Sequence, residues 1–382
     1  MTSPAVLILA PLPPQRCGVS RHAHSLGRFL AGRGFRPVAL TYWECGRGDY
    51  FRKTGFEARH LPTLVRPDSI PFVRAVLYVL MGIGPGIALV SREKICLIHA
   101  HGAIPQALLA CILSRLLNVP YIYTSHGAEL TLHNARGKIF KKLIRSIIVR
   151  AAAVTSVCRG NLDYMSRDNA KGFYVPNGID DAFLEKYAGS NRRLDTGASP
   201  AQIIFVGHVN AVKGVDLLIR AAETWAKTGD FDFHLKIVGD GPARSTARYV
   251  RDCEAAGLTG RVVFTGIRED VPRLLAEADI FVQPSRMEGL PTALLEAMTV
   301  GVPVVAAAAG GIPDIVIHEK NGLLVPPGDA SALAASVRRL AADPDLRRRL
   351  RQGGLETVSA FRWSEIGAAY LDVYRTIGIA SP

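Results

Sequence analysis

Two carboxylates stand eight positions apart in the run Ser285-Arg-Met-Glu288-Gly289-Leu290-Pro291-Thr-Ala-Leu-Leu-Glu296-Ala-Met-Thr-Val-Gly301. Between them lies a helix start. Gly289 supplies backbone freedom, and Pro291 suits the first helical position, where its missing N–H costs nothing. Thr292 to Met298 are then good helix formers. This places Glu288 on a loop at the helix mouth and Glu296 about one and a half turns inside. The unpaired N–H groups of a first turn form an anion site. A carboxylate beside an anion site fits a ligand carrying both phosphate and hydroxyl groups, as a nucleotide sugar does. The same spacing also fits a solvated glutamate ahead of an ordinary amphipathic helix.

Other residues stand where chemistry is done in α/β folds. The loop after the first apolar run, Pro11-Leu-Pro13-Pro14-Gln-Arg16-Cys17-Gly18-Val-Ser20, leads into a helix at about 20–32; Gly18 can bring backbone close to a ligand. It is not a Gly-x-Gly-x-x-Gly fingerprint, which argues against a dehydrogenase. His126 ends a strand in Thr124-Ser125-His126-Gly127-Ala-Glu129, and Lys213 follows the strand 202–206 by a few residues. A lone histidine is more often structural than functional, and a lone lysine is often simply solvated.

These positions need a scaffold, and the apolar pattern supplies one. Strand candidates are 5–10, 36–41, 95–99, 121–125, 153–157 and 172–175 in the first half, and 202–206, 233–238, 262–265, 280–283, 303–306 and 322–325 in the second. Helix-length amphipathic segments lie between most of them. The pattern predicts an α/β chain of two doubly wound, Rossmann-like domains, with ligands at the carboxyl ends of the strands and a cleft between facing domains. The polar stretch 185–200 reads as the linker, giving domains at 1–188 and 189–361.

The 382 residues fit about two domains, and 48% of them are hydrophobic, enough for a core in each. Six scattered cysteines without a Cys-x-x-Cys or Cys/His grouping read as reduced thiols of a cytosolic protein. The first residues lack the basic region and cleavage site of a signal peptide and read as a buried strand. Charge is lopsided: residues 1–190 hold 24 Lys/Arg against 11 Asp/Glu, whereas 191–382 hold 22 of each. An anionic partner for the first half follows, a membrane surface or lipid phosphate rather than nucleic acid, for which no recognition signature is present.

Two segments bear on that partner. Residues 75–91 carry no charge but are interrupted by Gly82, Gly84, Pro85 and Gly86. That favours a buried or broken helix over a membrane-interface patch, and either over a true span. Residues 136–150 are apolar at 139, 140, 143, 144, 147 and 148, with Lys138, Lys141, Lys142 and Arg145 at other positions and no acid in the segment. This is a basic amphipathic helix of the membrane-surface kind, a reading compatible with its also packing on its own sheet.

The Glu-(seven residues)-Glu pair, set in Pro284-Ser285…Glu288-Gly289-Leu290-Pro291…Leu295-Glu296-Ala297-Met298…Gly301-Val-Pro303, closely resembles the signature of family 4 glycosyltransferases, retaining enzymes of GT-B architecture. The resemblance continues in Val175-Pro176-Asn177-Gly178, Phe205-Val-Gly207…Lys213-Gly214, Val238-Gly239-Asp240-Gly241-Pro242, Thr265-Gly266, Gly310-Gly311-Ile312-Pro313-Asp314, Asn321-Gly322…Pro326-Pro327-Gly328-Asp329 and Phe361-Arg362-Trp363. It implies that Glu288 bonds donor-sugar hydroxyls, that Glu296 holds ribose hydroxyls, and that Lys213 with the N–H groups at Gly289 and Leu290 stabilises the leaving diphosphate. By the same resemblance His126 faces the donor sugar near its 6-position, Glu129 is a weaker acceptor contact, Gly239 turns beside the nucleotide, and Ile267 and Arg268 meet the base. The last helix, within 362–382, crosses back to complete the first domain. The chain departs from the family pattern twice. Cys17-Gly18 stands for the usual Gly-Gly pair, leaving Arg16 and Cys17 as acceptor-side candidates. His208 stands for an Arg of the diphosphate clamp.

The expected function is transfer of a sugar, with retention, from a nucleotide-diphosphate donor (a UDP- or GDP-sugar) to a saccharide or lipid-linked acceptor. The implied roles need no metal or other cofactor, and the chain has no Asp-x-Asp to hold one. The expected location is cytoplasmic, peripheral at the inner face of the membrane. Hydrolysis by two carboxylates fits less well, because one of them lies in a nucleotide-type site. A nucleotide-sugar epimerase of the same fold and a non-catalytic nucleotide-sugar-binding subunit are the alternatives.

Overall fold

A computed structural model of the chain describes residues 3–12, 17–42, 56–61, 71–127, 137–169, 171–191, 193, 199–229, 231–380 and 382. It divides into two compact units, residues 1–178 with 363–382, and residues 179–362.

The first unit is built on a parallel sheet. Its strands are β1 (Ala5–Leu9), β2 (Arg36–Tyr42), β3 (Glu57–Leu61), β4 (Ile95–His101), β5 (Tyr121–Ser125), β6 (Ala153–Ser156) and β7 (Gly172–Tyr174), in the order β3-β2-β1-β4-β5-β6-β7. The winding reverses between β1 and β4. β1 is Ala-Val-Leu-Ile-Leu, buried throughout. Its side chains alternate: Leu7 and Leu9 join one apolar layer, Val6 and Ile8 the opposite one. Helices cover both faces: α1 (Gly18–Gly32), α2 (Pro71–Arg92), α3 (Leu108–Leu117), α4 (Gly137–Arg150) and α5 (Arg159–Ser166).

The second unit begins with α6 (Asp181–Tyr187). Its sheet comprises β8 (Ala201–Val206), β9 (Phe233–Val238), β10 (Val262–Gly266), β11 (Ile280–Gln283), β12 (Val304–Ala307) and β13 (Leu323–Val325), all parallel, in the order β10-β9-β8-β11-β12-β13. Here the reversal lies between β8 and β11. The crossovers are α7 (Val215–Thr228), α8 (Ala243–Ala255), α9 (Val271–Ala276), α10 (Thr292–Val300) and α11 (Ala330–Ala342), followed by α12 (Pro344–Val358). The chain then returns to the first unit as α13 (Trp363–Thr376). Tyr370 and Tyr374 of α13 are fully buried there, in the layer that also holds Leu26 and Leu30 of α1.

Every expected strand is present within a few residues. β3 was not expected: Glu-Ala-Arg-His-Leu lacks an apolar run, and it is an edge strand of its sheet. The boundary differs too. The expected linker spans 185–200, with the domain boundary after residue 188, but the units part at Gly178, and α6 lies in the second unit. The residues after α6 look polar enough to be free, yet Gly189 N–H donates to Thr299 O and Asn191 N–H to Val300 O, both at 2.9 Å, tying them to the end of α10. The apolar segment 75–91 is an unbroken helix, with Pro85 inside it. Its window Ala75–Arg92 is long and apolar enough to cross a membrane, and a third of that window is buried. Gly86 lets α3 approach: a Cβ there would meet Leu113 Cδ1 at 2.7 Å.

Candidate active site

In the second unit the candidate residues gather at the strand ends beside the reversal point, where doubly wound sheets bind ligands. Lys213 lies in the loop between β8 and α7. Glu288 lies in the loop between β11 and α10. The two meet: Lys213 Nζ donates to both oxygens of Glu288 at 2.7 Å. Glu288 is buried, and two more groups hold its Oε1: Ser285 Oγ at 2.8 Å and Gln283 Nε2 at 3.0 Å. Gln283 Nε2 also donates to Ser285 Oγ at 2.8 Å, while its own buried Oε1 has no hydrogen-bond partner among the described residues.

The backbone that makes this pairing possible is close-packed. Gly214 precedes α7 at φ +75, and a Cβ there would fall 2.0 Å from the Pro284 carbonyl oxygen. Gly310, at φ +56, stands as close to the Glu288 carbonyl, 1.9 Å for a built Cβ. The loop that carries Glu288 is thus clamped by two neighbours that only glycine can provide. Arg286 adds a stitch. Its guanidinium donates to both Asp216 oxygens, at 2.7 and 2.6 Å, and to Ala211 O at 2.6 Å. Burial alone would raise the Asp216 carboxyl; the Arg286 hydrogen bonds and charge outweigh it and hold it below the usual range. Lys213 itself is turned by its N–H bond to Asn210 Oδ1, 2.9 Å.

Gly289 and Leu290 lead directly into α10. The helix starts at Thr292, so Pro291 is its N-cap rather than its first residue, and no side chain caps it. No acid stands in its first turn either. Glu296 sits on α10, half-buried. Gly239 follows β9, at φ +133, where a Cβ would meet Gly207 O at 2.0 Å. His208 is exposed, with Nδ1 3.4 Å from Asp240 O and 3.5 Å from Asp240 Oδ1. Ile267 and Arg268 follow β10, further out in the sheet. Ile267 is exposed, and Arg268 is held by Asp270 through two bonds of 2.8 Å. Lys213 and Glu288 are therefore in direct contact, while His208, Gly239, Ile267 and Arg268 occupy successive strand ends.

The first unit places its candidates in the same way. Cys17 is the N-cap of α1, its Sγ accepting from Ser20 N–H at 3.4 Å, and burial raises the thiol above its ordinary value. Gly18 is the first helical residue, two earlier than expected, with nothing among the described residues within 4 Å of a built Cβ. Arg16 and Glu129 lie outside the described residues. His126 follows β5 and is one of four histidines in contact. His101 Nδ1 lies 3.1 Å from His126 Nε2, His99 stacks on His101 with ring centroids 4.4 Å apart, and His22 meets His126 edge-on at 4.9 Å. α13 contributes two hydroxyls: Tyr370 OH lies 2.9 Å from His22 Nε2, and Tyr374 OH 2.8 Å from His99 Nδ1. Burial pushes all four imidazoles down, His22 to about 4 and His99 to about 3, with His101 and His126 well below their ordinary value. Neighbouring histidines push His99, His101 and His126 further. At neutral pH the cluster is uncharged.

Ring nitrogens of His22, His101 and His126 lie within 4.8 Å of one another, a grouping that could hold a metal ion. Nitrogens sharing one zinc at about 2.1 Å stand no more than about 4.2 Å apart. Here both His22 nitrogens bond Asn177 Oδ1 and Tyr370 OH, and His101 bonds His126. The arrangement is that of a neutral hydrogen-bonded network.

Sequence reasoning missed Gln283, Ser285, Arg286 and three of the four histidines as supporting residues. Signals existed for some: Gln283 ends the otherwise apolar strand Ile-Phe-Val-Gln, and His99 and His101, two apart in a buried strand, must share one face.

The basic segment forms α4 as expected, with Ile144, Ile147 and Ile148 buried and Lys138, Lys141, Lys142 and Arg145 exposed. Ile139 departs from the expected apolar face, being 87% exposed, whereas its neighbour Phe140 packs against the core. Arg145 pairs with Asp168 at 2.9 Å, an acid from beyond the segment.

Two doubly wound units, with an ion-paired lysine and glutamate at one reversal point and a histidine cluster at the other, define the class of α/β glycosyltransferases. Residues 17–183 match the family model described as Glycosyltransferase Family 4, and residues 200–343 match Glycosyl transferases group 1. The chain belongs to this family. It is 30% identical to the GDP-mannose-dependent alpha-(1-6)-phosphatidylinositol monomannoside mannosyltransferase of Mycobacterium tuberculosis, over 98% of each chain. Its fold is similar to that of a Thermosynechococcus elongatus sucrose-phosphate synthase, with a TM-score of 0.84 and 23% identity over 98% of this chain and 99% of that one. An Anabaena protein solved in complex with UDP-glucose is also similar, with a TM-score of 0.79 and 18% identity over 97% and 99%.

Proposed function

We propose that this glycosyltransferase moves a hexose, with retention, from a UDP- or GDP-sugar to a saccharide or lipid-linked acceptor, without a metal. The observation that carries the reading is the partly buried Lys213–Glu288 pair beside the uncapped start of α10. When the bond from the anomeric carbon to phosphate breaks, negative charge grows on the leaving diphosphate and positive charge on the sugar. Lys213 and the N–H groups at 289–290 meet the first; fixed donors are worth most where charge develops. Glu288 bonds sugar hydroxyls and offsets the second. Glu296 takes the ribose hydroxyls, and Ile267 and Arg268 take the base. His208 adds a donor to the diphosphate, a role its exposure and its place beside Gly239 permit. His126 bonds the donor sugar, as a neutral imidazole that adds no positive charge beside an oxocarbenium-like carbon.

The acceptor is lipid-linked, reached from the inner face of the membrane. Supporting this, exposed lysines of α4 face solvent with Ile139, and α2 exposes Val73, Val76 and Leu80. Among the described residues Lys138, Lys141 and Lys142 form no ion pair.

The test is nucleoside diphosphate release from a panel of UDP- and GDP-sugars in the presence of a chelator, with and without polyprenyl- and phosphatidylinositol-linked saccharides. Acceptor-dependent release and an anomeric proton signal matching the donor's configuration are expected. Release without acceptor, together with an epimerised sugar, would replace transfer by epimerisation. Binding without turnover on any acceptor would leave a nucleotide-sugar-binding subunit.

A further inference from the structure

A neutral imidazole has one N–H and one lone pair, so a bond between two neutral histidines has a direction. His101 Nδ1 and His126 Nε2 are 3.1 Å apart, and one of them donates. If His126 donated, the single proton of His101 would sit on its Nε2. That atom is buried and has no hydrogen-bond partner among the described residues. The nearest rings offer no acceptor. His99, stacked on His101, has both nitrogens taken, by Tyr374 OH at 2.8 Å and Thr124 Oγ1 at 2.7 Å. His22 has both taken by Asn177 Oδ1 at 2.8 Å and Tyr370 OH at 2.9 Å. A buried N–H without an acceptor is a rarer defect than a buried bare lone pair. The direction that avoids it runs from His101 to His126.

We propose that His101 is a positioning residue: its Nδ1–H donates to His126 Nε2 and so confines the His126 proton to Nδ1. The residues on either side are held as well. Asn161, on α5, donates from Nδ2 to Gly127 O at 2.8 Å and to Ser125 Oγ at 3.1 Å. His126 thus has its ring fixed through one nitrogen and its chain fixed through both neighbours. The consequence is chemical. With Nε2 committed as an acceptor, the single N–H of His126 is on Nδ1. It acts as a neutral hydrogen-bond donor and not as a general base through Nε2. The tautomer follows from the geometry alone; its effect on catalysis rests on the proposed contact of His126 with the donor sugar.

The experiment uses the full chain labelled with 15N-histidine. Imidazole nitrogens that carry a proton resonate far from those that carry a lone pair, and the His126 signals are identified by their loss in His126→Gln. At neutral pH, Nδ1 of His126 is expected in the protonated range and Nε2 in the lone-pair range. His101→Leu should let His126 populate both tautomers and lower kcat about tenfold or more, the cost of losing one oriented hydrogen bond, with the donor KM little changed. His101→Asn places an amide N–H where Nδ1 stands, so it should restore both the tautomer and most of kcat. His101→Gln, whose amide reaches the Nε2 position, should restore neither. A His126 proton on Nε2 in the intact protein would overturn the assignment, as would a His101→Leu variant that keeps both the tautomer and kcat. The Asn variant guards against misfolding of the Leu one. Should the chain transfer no sugar at all, the NMR result still decides the tautomer.

Discussion

Glu288→Gln keeps the shape of the buried side chain and removes its charge, and the structure says how much should follow. The carboxylate is surrounded by donors: Lys213 Nζ on both oxygens at 2.7 Å, with Ser285 Oγ and Gln283 Nε2 on Oε1. A glutamine can leave its oxygen on the Oε1 side, but its NH2 group must then face Lys213, so one charge-assisted bond is lost. Such a bond contributes about 1.5–3 kcal/mol when well shielded. The Lys213 side chain is 25% exposed, and water replaces part of that bond, so a loss of about 1–2 kcal/mol is expected. For a unit of this size that lowers Tm by about 2–8 °C. Turnover should suffer far more, about 10²-fold or beyond, because Glu288 acts on charge present only in the transition state. Affinity for free UDP or GDP should hold or rise, since the substitution removes a negative charge from beside the cation that meets the diphosphate. Melting curves, calorimetric titration with the nucleoside diphosphate, and diphosphate release at saturating donor separate the three effects. Wild-type turnover would remove Glu288 from catalysis. A fall in nucleotide affinity as large as that of Lys213→Met would show that the pair serves only to hold the loop.

Other expectations are narrower. Glu296→Gln should weaken nucleoside diphosphate binding with a smaller effect on kcat; equal binding by this variant and wild type would refute the ribose contact. Replacing Lys138, Lys141, Lys142 and Arg145 by Gln should release the protein from anionic vesicles, each cation contributing about 1 kcal/mol, with Arg145 contributing least because Asp168 already holds it. Undiminished, salt-insensitive binding in cosedimentation would instead point to α2. His208→Arg should tighten diphosphate binding and His208→Ala loosen it, since Arg offers a permanent charge and a wider fork of donors; identical dissociation constants would show that His208 does not reach the phosphates. Stability should fall on acidification through the histidine cluster. His22 is held neutral down to about 4 against an ordinary 6.5, so its contribution is complete above about pH 6.5 and is lost as pH falls towards 4, by about 3 kcal/mol. Urea midpoints measured from pH 7 to 4.5 should drop less steeply in His22→Asn than in wild type.

What could be read from the sequence depended on whether a residue's role is local. Strands of the kind found at β1 or β11 announce themselves through their own apolar runs, and all but one of the thirteen strands among the described residues were legible for that reason. β3 was not, because an edge strand with Glu57, Arg59 and His60 is made by pairing to β2 rather than by its own composition. The same distinction runs through the site. The loop, helix start and glycines around Glu288 are written within a few consecutive residues, so its place at the mouth of α10 could be anticipated, with Pro291 off by one position. That Lys213 spans 75 residues of chain to close on both of its oxygens could not. The histidine cluster is the limiting case. It draws on α1, β4, the end of β5 and α13, and the His22–Tyr370 contact joins positions 348 residues apart. No window of sequence contains it. It forms because the returning helix α13 lays Tyr370 and Tyr374 against the face of β4 where His99 points. The tail that completes the sheet's cover thereby also fixes the polar groups beneath it.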